Sequence, residues 1–243
     1  MASVLRARQE IHGLTHPYPV LTHHYPVLTQ HDPVRVQALS KLRRLQLSQH
    51  DLGMLSGAPP LWPPLAALTE LRVSFMTPGR RAVAPAAPLA TATALRRLGL
   101  ECVDLPEASF AALPPPAHLT ALELVHARVY GDALPQFLRA ATALAKLCLI
   151  ENGLPPAAAA AALAALPPAL AHLHVRGNGV GVAGAAALAA APLPGLAHIS
   201  LPHCGLTSAA LEALSGALPL WPQLTQLDLS GNCLLYTSPS PRD

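Results

Sequence analysis

The chain has 243 residues, 51% of them hydrophobic, 12% charged and 4% aromatic, which is ample material for a core built from Leu, Val and Ala rather than rings. Such a core suits thin repeating layers better than one large interior. A formal charge of +3 arises from 16 basic and 13 acidic residues with no block of like charges, which argues against nucleic acid and anionic membrane as partners.

In chain order, residues 1–35 stand outside any leucine pattern. Met1 to Arg8 carries positive charge with no apolar run behind it, so no secretory signal is read there. A seven-residue echo follows: Leu14-Thr15-His16-Pro17-Tyr18-Pro19-Val20, then Leu21 to Val27, then Leu28 to Val34. Its prolines exclude helix, and the segment reads as a low-complexity, disordered, extended leader. Histidines are frequent in it, but they share no zinc-finger spacing and no partnering cysteines, so no metal site is read.

From residue 36 to Asn232 one pattern recurs, L-x-x-L-x-L-x-x-N-x-L. Leu42, Leu45, Leu47 and Leu52 form the first copy, and Leu68, Leu71, Val73 and Met76 a degenerate second. Leu95, Leu98, Leu100 and Leu105 follow, then Leu119, Leu122, Leu124 and Val129. The clearest copies are Leu144, Leu147, Leu149, Asn152, Leu154 and Leu170, Leu173, Val175, Asn178, Val180. Leu196, Ile199, Leu201, Cys204 and Leu206 make the seventh, and Leu224, Leu227, Leu229 and Asn232 open a truncated eighth. First leucines step by 26, 27, 24, 25, 26, 26 and 28 residues.

Leucines two apart, such as Leu147 and Leu149, share one face of a short strand, while Lys146, Cys148 and Ile150 point the other way. Each copy therefore adds one strand to a parallel sheet. Asn152, Asn178, Cys204 and Asn232 then turn inward to satisfy backbone groups where the chain bends, a structural role. The first four copies have His50, Met76, Val103 and Ala127 there and are expected to be looser. Asp132–Ala141, Pro156–Leu166, Val182–Ala191 and Ser208–Leu218 have helical composition and return along the opposite side. Pro156 suits a first helical turn, whereas the prolines of Ala58–Pro64 and Thr77–Pro88 predict irregular or extended backbone.

The repeat resembles the leucine-rich repeats of the ribonuclease-inhibitor-like class shared with NOD-like receptors. Asn178-Gly179-Val180-Gly181-Val182-Ala183-Gly184-Ala185-Ala186-Ala187-Leu188-Ala189 is similar to that class's N-x-x-G-x-x-G-A-x-x-L-A. The resemblance implies an α/β solenoid, a horseshoe with a parallel β-sheet on the concave face and short helices or irregular segments on the convex face. The remaining residues, 233–243, read like the translation of a transposase-type sequencing adapter and are taken as a non-native tail. They interrupt a repeat in good phase, so the natural chain is expected to continue with more repeats or another domain, and a bare final strand would expose an apolar edge.

Such a solenoid binds through outward side chains of its concave sheet. Between the core positions the strands present Gln46, Arg72, Gly99, Glu123, Cys148, His174, Ser200 and Asp228, flanked by Arg44, Arg97, Lys146, His172, Arg176 and His198. The mixed charge suits a protein partner. Gln46, Arg72, Glu123, Lys146, Cys148, His172, His174, Arg176, His198 and Asp228 are the expected partner-binding residues. His172 and His198 should lie about 5 Å apart in neighbouring layers with His174 near them, a cluster read as solvated rather than metal-binding. Cys148 is weakly readable as a reactive thiol beside Lys146.

No Walker loop, nucleophile elbow or H-E-x-x-H is present, and Gly177, Gly179 and Gly181 belong to a repeat turn, so no catalysis and no cofactor are expected. Although Gly177 to Leu211 holds no charged residue, Pro192, Pro194 and Pro202 leave too short a run for the ~20 residues of a spanning helix. Four widely spaced cysteines form no disulfide framework, so an intracellular, cytoplasmic site is expected. The reading is a protein-binding scaffold of open oligomeric state. Two alternatives stand beside it: the recognition region of a larger receptor or ubiquitin-ligase subunit, and, by resemblance to the repeats of Ran GTPase activators, a GTPase-activating protein.

Overall fold

A computed structural model describes residues 20–23, 43–49, 66–75, 82–83, 91–111, 113, 116–129 and 132–234. Nine strands form one open parallel sheet, in the order β1 (Val20–His23), β2 (Arg44–Gln49), β3 (Glu70–Phe75), β5 (Arg97–Glu101), β7 (Ala121–Val125), β9 (Lys146–Ile150), β10 (His172–Arg176), β11 (His198–Ser200) and β12 (Gln226–Asp228). The register is the one the leucine spacing dictates. Leu71 pairs with Leu98, Leu98 with Leu122, Leu122 with Leu147, Leu147 with Leu173 and Leu173 with Ile199.

Each layer is locked to the one before it at the strand entrance. One carbonyl accepts the amides of two successive residues of the next layer: Thr69 takes Arg96 and Arg97, Thr120 takes Ala145 and Lys146, and Ala171 takes Ala197 and His198. Where a threonine occupies the first of those two positions, its hydroxyl donates to the same carbonyl, as Thr120 does to Arg96 at 3.0 Å.

The inward residues build a single continuous core. Leu122, Leu147, Leu173 and Ile199 are buried to 1% exposure or less. Removing a side chain of this kind by Leu→Ala costs about 2–5 kcal/mol in close-packed interiors, so register errors are strongly penalised. In the last layer Leu227 is 43% exposed, since no described residue stacks beyond β12.

Helices return the chain on the opposite side: α1 (Glu107–Ala111), α2 (Ala133–Ala140), α3 (Pro156–Leu163), α4 (Gly181–Ala189) and α5 (Ser208–Ala217). The four expected from composition are α2 to α5; the single turn of α1 was not. Pro156 opens α3, where its missing N–H costs no hydrogen bond. Small residues let α3, α4 and α5 stack closely, with Ala159, Ala162, Ala185 and Ala210 facing the core.

Two of the early turns, at Val103 and Ala127, are closed without an asparagine of their own. Val103 and Ala127, standing where asparagine is usual, are fully buried. Beside them a second parallel sheet of β4 (Ala82–Val83), β6 (Val103–Leu105) and β8 (Arg128–Val129) pairs the backbone of successive layers. Backbone ladder bonds thus take over part of what a side-chain amide does elsewhere. Ala82–Val83 falls in the segment expected to be extended.

In the leader, β1 pairs with β2, Leu21 opposite Leu45, and so adds one strand beyond the layers counted from leucines. The rest of the leader, its proposed boundary at residue 36, Leu42, His50, Leu52, Met76 and residues 235–243 lie outside the described residues. Among the described residues no helix is long and apolar enough to cross a membrane.

Candidate functional site

The outward side chains of the main sheet stand in rows, because parallel in-register strands place equivalent residues about 4.8 Å apart. The first row runs Arg44, Glu70, Arg97, Ala121, Lys146, His172, His198, Gln226, and the second Gln46, Arg72, Gly99, Glu123, Cys148, His174, Ser200, Asp228. Gln46, Arg72, Lys146, His172, Arg176 and Asp228 are exposed, and Glu123, Cys148, His174 and His198 half-buried between neighbours.

In the first half of the face, these residues assemble into an ion-pair network. Arg72 of β3 reaches across β5 and donates to Glu123 Oε2, while Lys146 Nζ of β9 donates to Oε1 at 2.8 Å. Gly99 makes this span possible, since a Cβ there would stand 3.3 Å from Arg72 Cγ and Nε. Burial alone would raise the Glu123 pKa, but the Lys146 hydrogen bond and the charges of Arg72, Lys146 and Arg97 outweigh it and hold the carboxyl below its usual range. Arg44 and Glu70 pair at 3.3 Å in the same row.

The second half carries the histidines. The His172 and His198 rings stack with centroids 4.5 Å apart, at the separation the repeat spacing predicts. His198 Nδ1 lies 2.7 Å from Gln226 Oε1. His174 stands one row over, level with Cys148 and Ser200, and is not part of the stack. Burial lowers the pKa of both His172 and His174; His198 and Lys146 add to it at His172, whereas Asp228 partly offsets it at His174. Among the described residues no group of three or more His, Cys, Asp or Glu side chains is arranged to hold a metal ion.

Cys148 gains no activation from its neighbour. Burial pushes its thiol up, and Lys146 only partly opposes this, so it stays protonated at neutral pH and the reactive-thiol reading falls.

The turn residues take the roles their spacing predicts. Asn178 Oδ1 accepts from the amides of Asn152 (3.1 Å) and Leu154 (3.3 Å), while Nδ2 donates to the carbonyls of Leu149 (2.9 Å) and Arg176 (3.0 Å). Asn152 and Asn232 do the same one layer away, reaching Ala127 at 2.8 Å and Cys204 at 2.8 Å. Cys204 can imitate half of this, its thiol donating to the Val175 carbonyl at 2.7 Å.

A further row went unread in the sequence. Cys102, His126, Glu151, Gly177, His203 and Gly231 occupy the same turn position, all with φ between +50° and +67°. The repeat spacing alone relates them, but their varied chemistry hides it. Glu151 lies 3.5 Å from His126 and 3.8 Å from Arg176, and leans over Gly177, where a Cβ would meet its Cγ at 2.8 Å. Glu151, Gly153, Arg176, Gly177 and His203 line a shallow recess of about 430 Å³.

Residues 169–189 match the family model described as leucine-rich repeat. A leucine-rich-repeat protein of Leptospira interrogans is similar over 86% of this chain and 59% of its own, with 17% identity and a TM-score of 0.51. The mouse RP105/MD-1 complex aligns over 68% of this chain and 27% of that one, at 23% identity and a TM-score of 0.47. The leucine-rich-repeat ectodomain of the plant membrane receptor kinase GASSHO1/SCHENGEN3 from Arabidopsis thaliana aligns over 79% and 22%, at 19% identity and a TM-score of 0.45. The chain thus spans less than two thirds of each of these structures. No curated protein sequence matches it. Together with the sheet register, the likeness defines the class: an α/β leucine-rich-repeat solenoid with an open parallel sheet.

Proposed function

We propose that this chain is a non-enzymatic scaffold, of the ribonuclease-inhibitor-like repeat type, that binds a protein partner on its concave sheet face. One observation carries the reading. The sheet holds its outward residues in fixed rows by in-register pairing, while the core is built from the inward strand residues and the helices behind them. A rigid array of mixed charge is suited to reading a protein surface, since acids and bases both find complements. The helices behind β9 to β11 and the Asn178–Ala189 pattern support the repeat type. Protonated Cys148 and the saturated Glu123 network support binding over catalysis. An intracellular, cytoplasmic site is part of the proposal, resting on four cysteines too widely spaced for a disulfide framework.

Photo-crosslinking tests the docking face. A benzophenone amino acid placed at Gln46 or His174 should capture a discrete partner in cells, whereas the same probe at Ala183 or Glu212, on the helices, should not. Adducts from the helical positions alone would contradict the reading.

A further inference from the structure

Resting on the concave-face reading, we infer that the His172–His198 stack is the anchor for a carboxylate of the partner, an aspartate or glutamate side chain in an acidic segment. The argument is one of charges that have and lack complements. Toward β9, the nearest carboxylate is Glu123, already shared by Arg72 and Lys146. Toward β12, Asp228 accepts from the Ser200 hydroxyl at 3.1 Å and the Ser230 amide at 3.0 Å. On β10 itself Arg176 leans to Glu151 at 3.8 Å. The stack therefore sits in the row of Lys146, between two acids that already accept hydrogen bonds, and among the described residues no carboxylate pairs with it.

Its geometry sets two imidazoles side by side on the outward face of the sheet. His198 Nδ1 lies 2.7 Å from Gln226 Oε1, a contact that fixes the ring against its His172 neighbour. Facing the pair are Lys146 and Cys148 from β9, His174 and Arg176 from β10, and Asp228 from β12. Burial, then the neighbouring ring and Lys146, favour neutral His172 in the free protein. An incoming carboxylate reverses that balance, supplying the missing acceptor and drawing a proton onto the pair. Docking is then linked to proton uptake and tightens as pH falls through the histidine range.

The test follows the imidazole C–H resonances of the full chain by NMR, with capped hexaglutamate as the probe and hexalysine and a phosphoserine peptide as comparisons, near pH 5.5 and near pH 7.5 at low salt. Hexaglutamate should shift His172 and His198, raise their titration midpoints and bind about tenfold more tightly at the lower pH. His172→Gln with His198→Gln should lose that pH dependence while unfolding at an unchanged temperature near pH 7.5, since neither side chain belongs to the core. Absent shifts, equal shifts with hexalysine, or preference for the phosphopeptide alone would overturn the anchor. Crosslinking from Gln46 in the double variant separates the two proposals: a surviving adduct keeps the docking face even where the anchor fails.

Discussion

Asn178 shows how much one side chain can carry in a stacked fold. Its carboxamide serves two amides and one carbonyl of the preceding layer, all shut away from water, and the part-buried Arg176 carbonyl of its own. Each buried polar group left without a partner costs about 1–3 kcal/mol, so Asn178→Ala should destabilise by at least roughly 3 kcal/mol. Cys204→Asn should act in the opposite sense. The thiol offers a donor but a poor acceptor, and an amide there would serve the preceding turn as Asn178 and Asn232 do, adding about 1 kcal/mol. Denaturant unfolding of the two variants reads both effects, and a stabilised Asn178→Ala or a strongly destabilised Cys204→Asn would refute the ladder. These roles were legible in the sequence because an asparagine at fixed distance after paired leucines has one physical use. The left-handed row at Cys102, His126, Glu151 and His203 was not, since such backbone normally signals itself by glycine, and only Gly177 and Gly231 do so here.

At the scale of elements, leucine spacing and helical composition foretold β9 to β11 and α2 to α5, because strands of period two and helices flanked by proline leave marks in composition. The sheet of β4, β6 and β8 left none, its strands being two or three residues long. Nor did the network across β3, β7 and β9, which depends on Arg72 lying over an absent Gly99 side chain, a matter of reach rather than pattern. That network has a pH signature. Since the Glu123 pKa is lowered in the folded chain, its contribution is present above the unfolded carboxylate value of about 4.3 and is lost as pH falls through the folded one. Solvent screens the partly exposed pair, so Glu123→Gln should cost under about 1 kcal/mol at neutral pH. The variant should also lose less stability than the native chain between about pH 5 and pH 3. Equal acid losses in the two proteins would show that the pairing contributes nothing. His172 works in the same direction at higher pH: its lowered pKa leaves stability intact above about 6.5 and reduces it as pH drops below.

For the whole molecule, every functional statement depends on layers stacked in register with one set of side chains inward and the other in rows outside. Composition and repeat length made that architecture legible, since only a stacked array satisfies leucines recurring once per layer in a chain so poor in aromatics. The occupant of the face was not legible, because outward residues vary without cost to the core. Register is therefore what most needs measuring. In a background where Cys102, Cys148 and Cys233 are replaced by Ser and Cys204 by Asn, cysteines at 172 and 198 would face each other on adjacent parallel strands, within the 4.4–6.8 Å Cα separation a disulfide allows. Mild oxidation should close that pair, read as loss of two free thiols, and should leave a pair at 172 and 199 open, because Ile199 points into the core. Closure of the second pair in preference to the first would contradict the stacked layers and the docking face together.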